Sequence, residues 1–262
     1  MIRSPLGLRL NPARPIRDQI REAARLGAKG VVMDATGDLA PDRLSETGRR
    51  ELRHLLRSVE LALIALHLPT RRPFDTTDQL DDRLRRADAA FALAYGLGTS
   101  LVLARVGAAP PESEADRREV WTGAVRELGR RADHRGLRLA IETGTEPGPV
   151  LRAVLDALGT NGLAASLDPA SLLAQGLDPV TTARDLGPWV AHAYANDATA
   201  AAPRIALANP RGLGFPPGTL DWEEYLGALE EITYRGFLTI WPDPSRDPGP
   251  QFTALADRLA RF

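Results

Sequence analysis

The stretch Leu137-Arg138-Leu139-Ala140-Ile141-Glu142-Thr143-Gly144 shows the unit from which this chain is built. A short, mostly apolar run leads to a single carboxylate and then to a turn that contains glycine. The plan recurs in the next unit, where Leu163–Leu167 leads to Asp168. A short run that is apolar on both faces is typical of a parallel strand covered by helices. The two runs therefore predict neighbouring parallel strands, each with an acidic residue at its carboxyl end.

Eight such runs alternate with longer amphipathic stretches along the 262 residues. The predicted strands are Leu6–Leu10, Val31–Met33, Leu61–Leu68, Leu101–Val106, Leu137–Ile141, Leu163–Leu167, Trp189–Tyr194 and Phe237–Trp241. The segment Ala170–Leu186 between two of them is interrupted by Gly176 and Pro179, which predicts two short helices there. The alanine-rich run at 198–202 is expected to be a loop.

Eight strand–helix units in a chain of this length match the usual size of a (β/α)8 barrel. We therefore predict the α/β class, with a single TIM-barrel domain over residues 1–262. A doubly wound open sheet is the alternative, but it usually has about six strands and a glycine-rich first turn. The turn after the first run reads Asn11-Pro12-Ala13-Arg14-Pro15 and contains no glycine. Nucleotide binding of that type is therefore unsupported.

Composition excludes several classes of function. The 33 basic and 34 acidic residues nearly cancel, which argues against a nucleic-acid partner. No run of about 18 apolar residues occurs, and the first residues lack the apolar region of a signal peptide, so we expect a cytoplasmic protein with no membrane partner. The absence of cysteine excludes thiolate metal ligands and cysteine nucleophiles.

Candidate chemistry lies at the carboxyl ends of the strands, where TIM barrels carry their active sites. Glu142 and Asp168 end neighbouring strands about 4.8 Å apart, so they could share one divalent cation. Each has an alternative role. Asp168 could cap the following helix, with Pro169 at its first position. Glu142 could form a salt bridge to an arginine at the barrel mouth, such as Arg105.

The chain has four histidines, of which His54 and His134 lie in a predicted helix and at a helix-to-strand joint. His67 follows the third strand and is a candidate substrate contact. His192 lies inside the seventh strand, where it could be a metal ligand or a hydrogen-bonded histidine of the core. Strand alternation places His192 on the same face as Tyr194 and Asn196.

The chain resembles the xylose-isomerase-like TIM-barrel superfamily, the sugar phosphate isomerases and epimerases. Five motifs carry the resemblance in the same order along nearly the whole chain. They are Ala140-Ile141-Glu142-Thr143-Gly144, Ser166-Leu167-Asp168-Pro169, His192-Ala193-Tyr194-Ala195-Asn196-Asp197, Leu220-Asp221-Trp222 and Tyr234-Arg235-Gly236-Phe237-Leu238-Thr239-Ile240.

The resemblance implies a divalent cation (Mn2+, Mg2+ or Zn2+) and proton transfer at a carbon next to a carbonyl. Carried over, Glu142 and Asp168 become metal ligands, Glu142 is also the base, and His192 is a candidate acid. The third and fourth ligand positions of the family are Tyr194 and Trp241 here. Tyrosine must lose a proton before it binds such a cation, and tryptophan cannot bind one.

These residues lead to two hypotheses about function. The first is a sugar or sugar-phosphate isomerase or epimerase, in which His67, Arg105, Tyr194 and Trp241 contact the substrate. The second is a non-catalytic or divergent barrel that binds a carbohydrate or a small carboxylate, with the two aromatic rings as a stacking surface. An endonuclease-IV-like DNA repair enzyme would need a histidine-rich zinc cluster, which this chain does not offer. The resemblance also suggests a possible homodimer.

Overall fold

Eight parallel strands close into a barrel in the computed structural model, which describes residues 4–197 and 220–262. Each strand pairs with the next along the chain, and the last pairs with the first. The predicted (β/α)8 TIM barrel is therefore confirmed. The strands are β1 (Leu6–Arg9), β2 (Gly30–Asp34), β3 (Ala62–Leu68), β4 (Leu101–Ala104), β5 (Arg138–Glu142), β6 (Leu163–Leu167), β7 (Val190–Ala195) and β8 (Leu238–Ile240).

Helices follow the strands and cover the outside of the barrel. Within the described ranges they are α1 (Ile16–Arg25), α2 (Glu46–Ser58), α3 (Leu80–Leu97), α4 (Ala115–Asp133), α5 (Gly148–Leu158), α6 (Pro169–Ala174), α7 (Pro179–Leu186), α8 (Trp222–Glu231) and α9 (Pro248–Leu259). The predicted break between two short helices is confirmed by α6 and α7. The loop expected at 198–202 lies outside the described residues. None of these helices has the length and apolarity that a bilayer crossing requires.

Two apolar clusters hold the fold together. The larger one packs the outer face of the strands against the helices. The smaller one fills the barrel with side chains that are mostly small, namely Val32, Ala65, Leu103, Ala140, Ala164 and Tyr194. Because three of these six side chains are alanine, the interior has room for the whole ring of Tyr194. The barrel is thus filled from β7 by one large polar aromatic residue.

Glycine is required where α4 approaches the start of β6. A Cβ atom at Gly162 would lie 1.9 Å from the carbonyl oxygen of Gly129 and 2.7 Å from the backbone nitrogen of Asp133. Real Cβ atoms do not approach backbone atoms so closely, so any side chain here would push α4 away from the sheet.

We expect Gly162→Ala to lower the free energy of unfolding by about 2 to 3 kcal/mol, because the added methyl group overpacks a backbone contact. Gly123→Ala is the matched control, since a Cβ atom there meets nothing within 4 Å. In a helix this replacement stabilises by up to about 1 kcal/mol. Urea denaturation of both variants measures the effect, and equal midpoints would contradict it.

Candidate functional site

Charged side chains from several strands meet at the carboxyl end of the barrel. Arg9 ends β1, Asp34 ends β2, His67 lies near the end of β3, and Glu142 ends β5. Parallel strands that close into a barrel bring these ends to one rim. The mouth of the barrel is therefore lined by alternating positive and negative groups.

Glu142 and Asp168 lie at different heights in this mouth. In the pairing of β5 with β6, Glu142 is opposite Ser166, so Asp168 lies two residues further along the neighbouring strand. The two acids thus end neighbouring strands, as the sequence predicts, but are offset along the barrel axis; their sharing of one cation stays a prediction. Both still face one side chain, Arg105, which contacts each of them.

Glu142 is enclosed and surrounded by donors. Tyr194 Oη donates a hydrogen bond to its Oε1 at 3.1 Å, and Arg9 Nη1 lies 3.5 Å from the same oxygen. His67 Nε2 and Arg105 Nε both lie 3.5 Å from Oε2. Burial on its own raises the pKa of Glu142, but the charges of His67, Arg9 and Arg105 outweigh it and hold that pKa well below its usual range. The buried carboxylate is therefore ionised.

Arg9 is a residue of the mouth that sequence reasoning missed. Its Nη1 donates to Tyr194 Oη at 2.7 Å, its Nη2 donates to Asp34 Oδ1 at 3.1 Å, and its guanidinium carbon lies 3.8 Å from the centre of the Trp241 ring. Its side chain is only 4% exposed. The signal was present in the sequence as a charged residue inside an otherwise apolar strand, a position that is rarely occupied without a buried partner.

His67 bridges two acids at the mouth. Its Nδ1 lies 3.3 Å from Asp34 Oδ2, at ion-pair distance but without the alignment of a hydrogen bond. Its Nε2 faces Glu142. Burial and the charge of Arg9 lower the pKa of His67, whereas Glu142 and Asp34 raise it, and the balance is a raised pKa. The imidazole remains partly exposed, so a ligand in the mouth can reach it.

Asp168 caps helix α6, which confirms the alternative role considered from the sequence. Its Oδ1 accepts hydrogen bonds from the Ser171 backbone nitrogen at 3.2 Å and from Asn196 Nδ2 at 3.1 Å. Its Oδ2 accepts from the Ser171 hydroxyl and from Arg105 Nη2 at 3.3 Å. Both oxygens of this buried carboxylate are therefore occupied.

Arg105 lies over the two acids and faces the solvent. Its side chain is 40% exposed, whereas those of Glu142 and Asp168 are each 1% exposed. Its Nη2 also donates to Ser171 Oγ at 2.7 Å. The alternative role of Glu142, a salt bridge to an arginine of the mouth, is thus confirmed as well.

His192 lies beneath the mouth. Its Nδ1 is 2.8 Å from Ser166 Oγ, its Nε2 is 2.9 Å from Thr239 Oγ1, and its ring packs edge-on against Tyr194. Burial lowers the pKa of His192 to about 3, so the imidazole is neutral. The alternative of a hydrogen-bonded core histidine is confirmed. The expected role of His192 as an acid stays a prediction, and its buried location does not support that role.

The donor groups of the mouth do not fit a resident divalent cation. All four oxygens of Glu142 and Asp168 already face N–H or O–H donors. Burial and the charge of Glu142 raise the pKa of Tyr194 well above its usual value, so its phenol keeps the proton that a metal ligand would have to lose. Trp241 offers no ligand atom. Across residues 4–197 and 220–262, no group of three or more histidine, aspartate or glutamate side chains is placed to hold a metal ion.

Four side chains of the mouth remain partly exposed: Asp34, His67, Arg105 and Trp241. They supply a carboxylate acceptor, an imidazole, a guanidinium donor and an indole ring. This set can donate hydrogen bonds to a polar ligand, accept hydrogen bonds from it, and contact its apolar face. Tyr194 is fully buried, so the structure separates it from the other expected substrate contacts.

Comparison with known proteins gives one family and many similar folds. The family model described as xylose isomerase-like TIM barrel matches residues 20–261. A comparison with curated protein sequences gives no match.

Solved structures of low sequence identity share the fold. A xylose isomerase domain protein from Planctomyces limnophilus is 20% identical, with a TM-score of 0.79 over 98% of this chain and 95% of that one. D-psicose 3-epimerase from Clostridium cellulolyticum H10, solved with D-tagatose, is 14% identical, with a TM-score of 0.78 over 98% of each chain. A 3-keto-D-glucoside 4-epimerase from E. coli is 12% identical, with a TM-score of 0.77 over 99% of this chain and 100% of that one.

We expect His192 to make the stability of the protein depend on pH. Its pKa is about 3 in the folded chain and about 6.5 when unfolded, so between these values only the unfolded state binds the proton. The free energy of unfolding should therefore fall with decreasing pH, by up to about 1.4 kcal/mol per pH unit from this group.

His192→Asn should remove that component, and denaturant unfolding from pH 7 to pH 5 measures it. His134→Asn, at the exposed end of α4, is the matched control and should keep the slope of the unaltered protein. Identical slopes in the two variants would show that His192 is not the group responsible.

Proposed function

Because the chain belongs to the xylose isomerase-like TIM barrel family, we propose that it binds a sugar-type small molecule at the carboxyl end of its barrel. One observation carries the proposal. The partly exposed side chains Asp34, His67, Arg105 and Trp241 come from four different strand ends and surround one enclosed ionic cluster. The sugar epimerases among the similar folds support this class of ligand.

The chemistry of the four groups suits a polyhydroxylated ligand. Sugar hydroxyls both donate and accept hydrogen bonds, and the mouth offers Asp34 as an acceptor and Arg105 as a donor. Trp241 holds one ring face against Arg9 and stays partly exposed, so it adds the apolar surface on which the C–H groups of a sugar can rest.

The ionic cluster beneath these groups favours binding because it holds them in place. Asp34 is fixed by Arg9, and Arg105 is fixed by Asp168 and Ser171. Side chains that are already ordered lose little conformational entropy when a ligand arrives. The proposed site is therefore a pre-formed polar surface, and binding to it does not require a metal ion.

We expect His67→Gln to weaken binding of the ligand at least tenfold, about 1.4 kcal/mol, because the imidazole lies at the mouth between two acids. His54→Gln is the matched control, since His54 is exposed on α2 outside the barrel, and it should bind as the unaltered protein does. Calorimetry with ketoses, keto-sugars, sugar phosphates and sugar acids provides the measurement. Absence of binding across this panel, or equal affinities of the two variants, would overturn the proposal.

The isomerase or epimerase activity implied by the resemblance is a second candidate. It is favoured by one observation, namely that Glu142 and Asp168 from neighbouring strands face the same group at the mouth. The donor set described above does not fit the divalent cation of that reaction, so we derive no catalytic step through one.

For this second candidate, the expected result is conversion of at least one ketose or keto-sugar, which Glu142→Gln reduces at least a hundredfold because the variant lacks the base. Product formation followed by chromatography, with and without added Mn2+, measures it. If the unaltered protein converts no member of the panel while still binding one, the binding proposal alone remains.

The cytoplasmic location, the lack of a nucleic-acid partner and the possible homodimer stay predictions from the sequence.

A further inference from the structure

We propose that the guanidinium group of Arg105 takes the place of a divalent cation in this barrel and excludes such a cation from Glu142 and Asp168. The proposal concerns metal binding and does not depend on which ligand the mouth accepts. It rests on three features of the described residues, which are the position of Arg105, the charge around it and the register of the two acids.

The position of Arg105 is the one that a shared cation would need. Its Nε lies 3.5 Å from Glu142 Oε2, and its Nη2 lies 3.3 Å from Asp168 Oδ2. Both acids are closed off from solvent while Arg105 is 40% exposed, so the guanidinium lies between the carboxylates and the open end of the barrel. An ion from solution would have to displace it.

Most of the negative charge of the cluster is compensated without an ion. The three carboxylates of Asp34, Glu142 and Asp168 face the two guanidinium groups of Arg9 and Arg105. The imidazole of His67 lies between Asp34 and Glu142. A cation added to this set would lie close to Arg9, whose Nη1 is 3.5 Å from the same Glu142. Like charges at such distances in a poorly solvated place repel strongly.

The register of the strands suits the contact that Arg105 makes with both acids. Asp168 lies two residues further along the chain than Ser166, the residue opposite Glu142, so the two acids are offset along the barrel axis. The planar fork of an arginine presents separate donors to two acceptors, which matches the offset.

Whether the mouth holds a cation or the guanidinium of Arg105 affects the groups that a ligand contacts. A bound cation offers open coordination positions and polarises a ligand oxygen directly. Arg105 offers N–H donors of fixed direction instead. In this barrel a ligand oxygen is therefore recognised by hydrogen bonding.

Titration of the full chain with Mn2+ tests the inference. Calorimetry measures binding of the ion, and the change in melting temperature measures the stability that binding adds. Arg105→Met removes the guanidinium and keeps an apolar side chain of similar length. Arg152→Met is the matched control, since Arg152 is 38% exposed and pairs with Asp156 on α5, outside the mouth. We expect the unaltered protein and Arg152→Met to show no response to millimolar Mn2+. Arg105→Met should bind the ion at least tenfold more tightly and melt at a higher temperature in its presence.

Two further variants keep the test decisive. Arg105→Gln removes the charge and keeps a polar side chain that can donate hydrogen bonds, so it should gain Mn2+ binding even if Arg105→Met does not fold. Adding Asp168→Asn to either variant should abolish the gained binding, which locates the ion at these acids. Binding of Mn2+ by the unaltered protein as tight as that of the variants would overturn the inference. So would folded variants at position 105 that gain no binding.

Discussion

An ionised carboxylate inside the barrel is the constraint on which the mouth of this protein depends. Glu142 is fully enclosed, and an enclosed charge without partners would cost several kcal/mol. Arg9, His67, Arg105 and the Tyr194 hydroxyl all approach its two oxygens. Each of them belongs to a different strand or strand end. The contacts that compensate the charge of Glu142 therefore link these strands to one another.

Tyr194 connects this charged layer to the interior below it. The phenol accepts a hydrogen bond from Arg9 and donates one to Glu142, which is possible only while it keeps its proton. Its ring packs against His192, which is neutral and bonded to Ser166 on one side. Tyr194 therefore joins an uncharged, hydrogen-bonded interior to the charged groups of the mouth.

The similarity to other proteins concerns the barrel framework, whereas the chemistry of the site depends on the side chains at the mouth. The barrel is shared with proteins that are 12–20% identical, because strand length, apolar runs and helix packing tolerate most substitutions. The groups at the mouth are single side chains, and replacing a few of them changes which ions and ligands the same frame accepts. In this mouth Arg9, Arg105 and the Tyr194 hydroxyl face the buried carboxylates.

The sequence by itself determined the barrel and the rim on which its polar residues lie. Apolar runs of strand length, separated by amphipathic helices, are local features, and all eight predicted strands are present. The partners of the polar residues were decided only by the tertiary structure, because Arg9 and Tyr194 meet across 185 positions of the chain. From the sequence, Glu142 is expected to bind a cation, with a salt bridge to an arginine as the alternative. In the structure Arg105 Nε lies 3.5 Å from Glu142 Oε2, and this contact is not visible before the strands are paired in space.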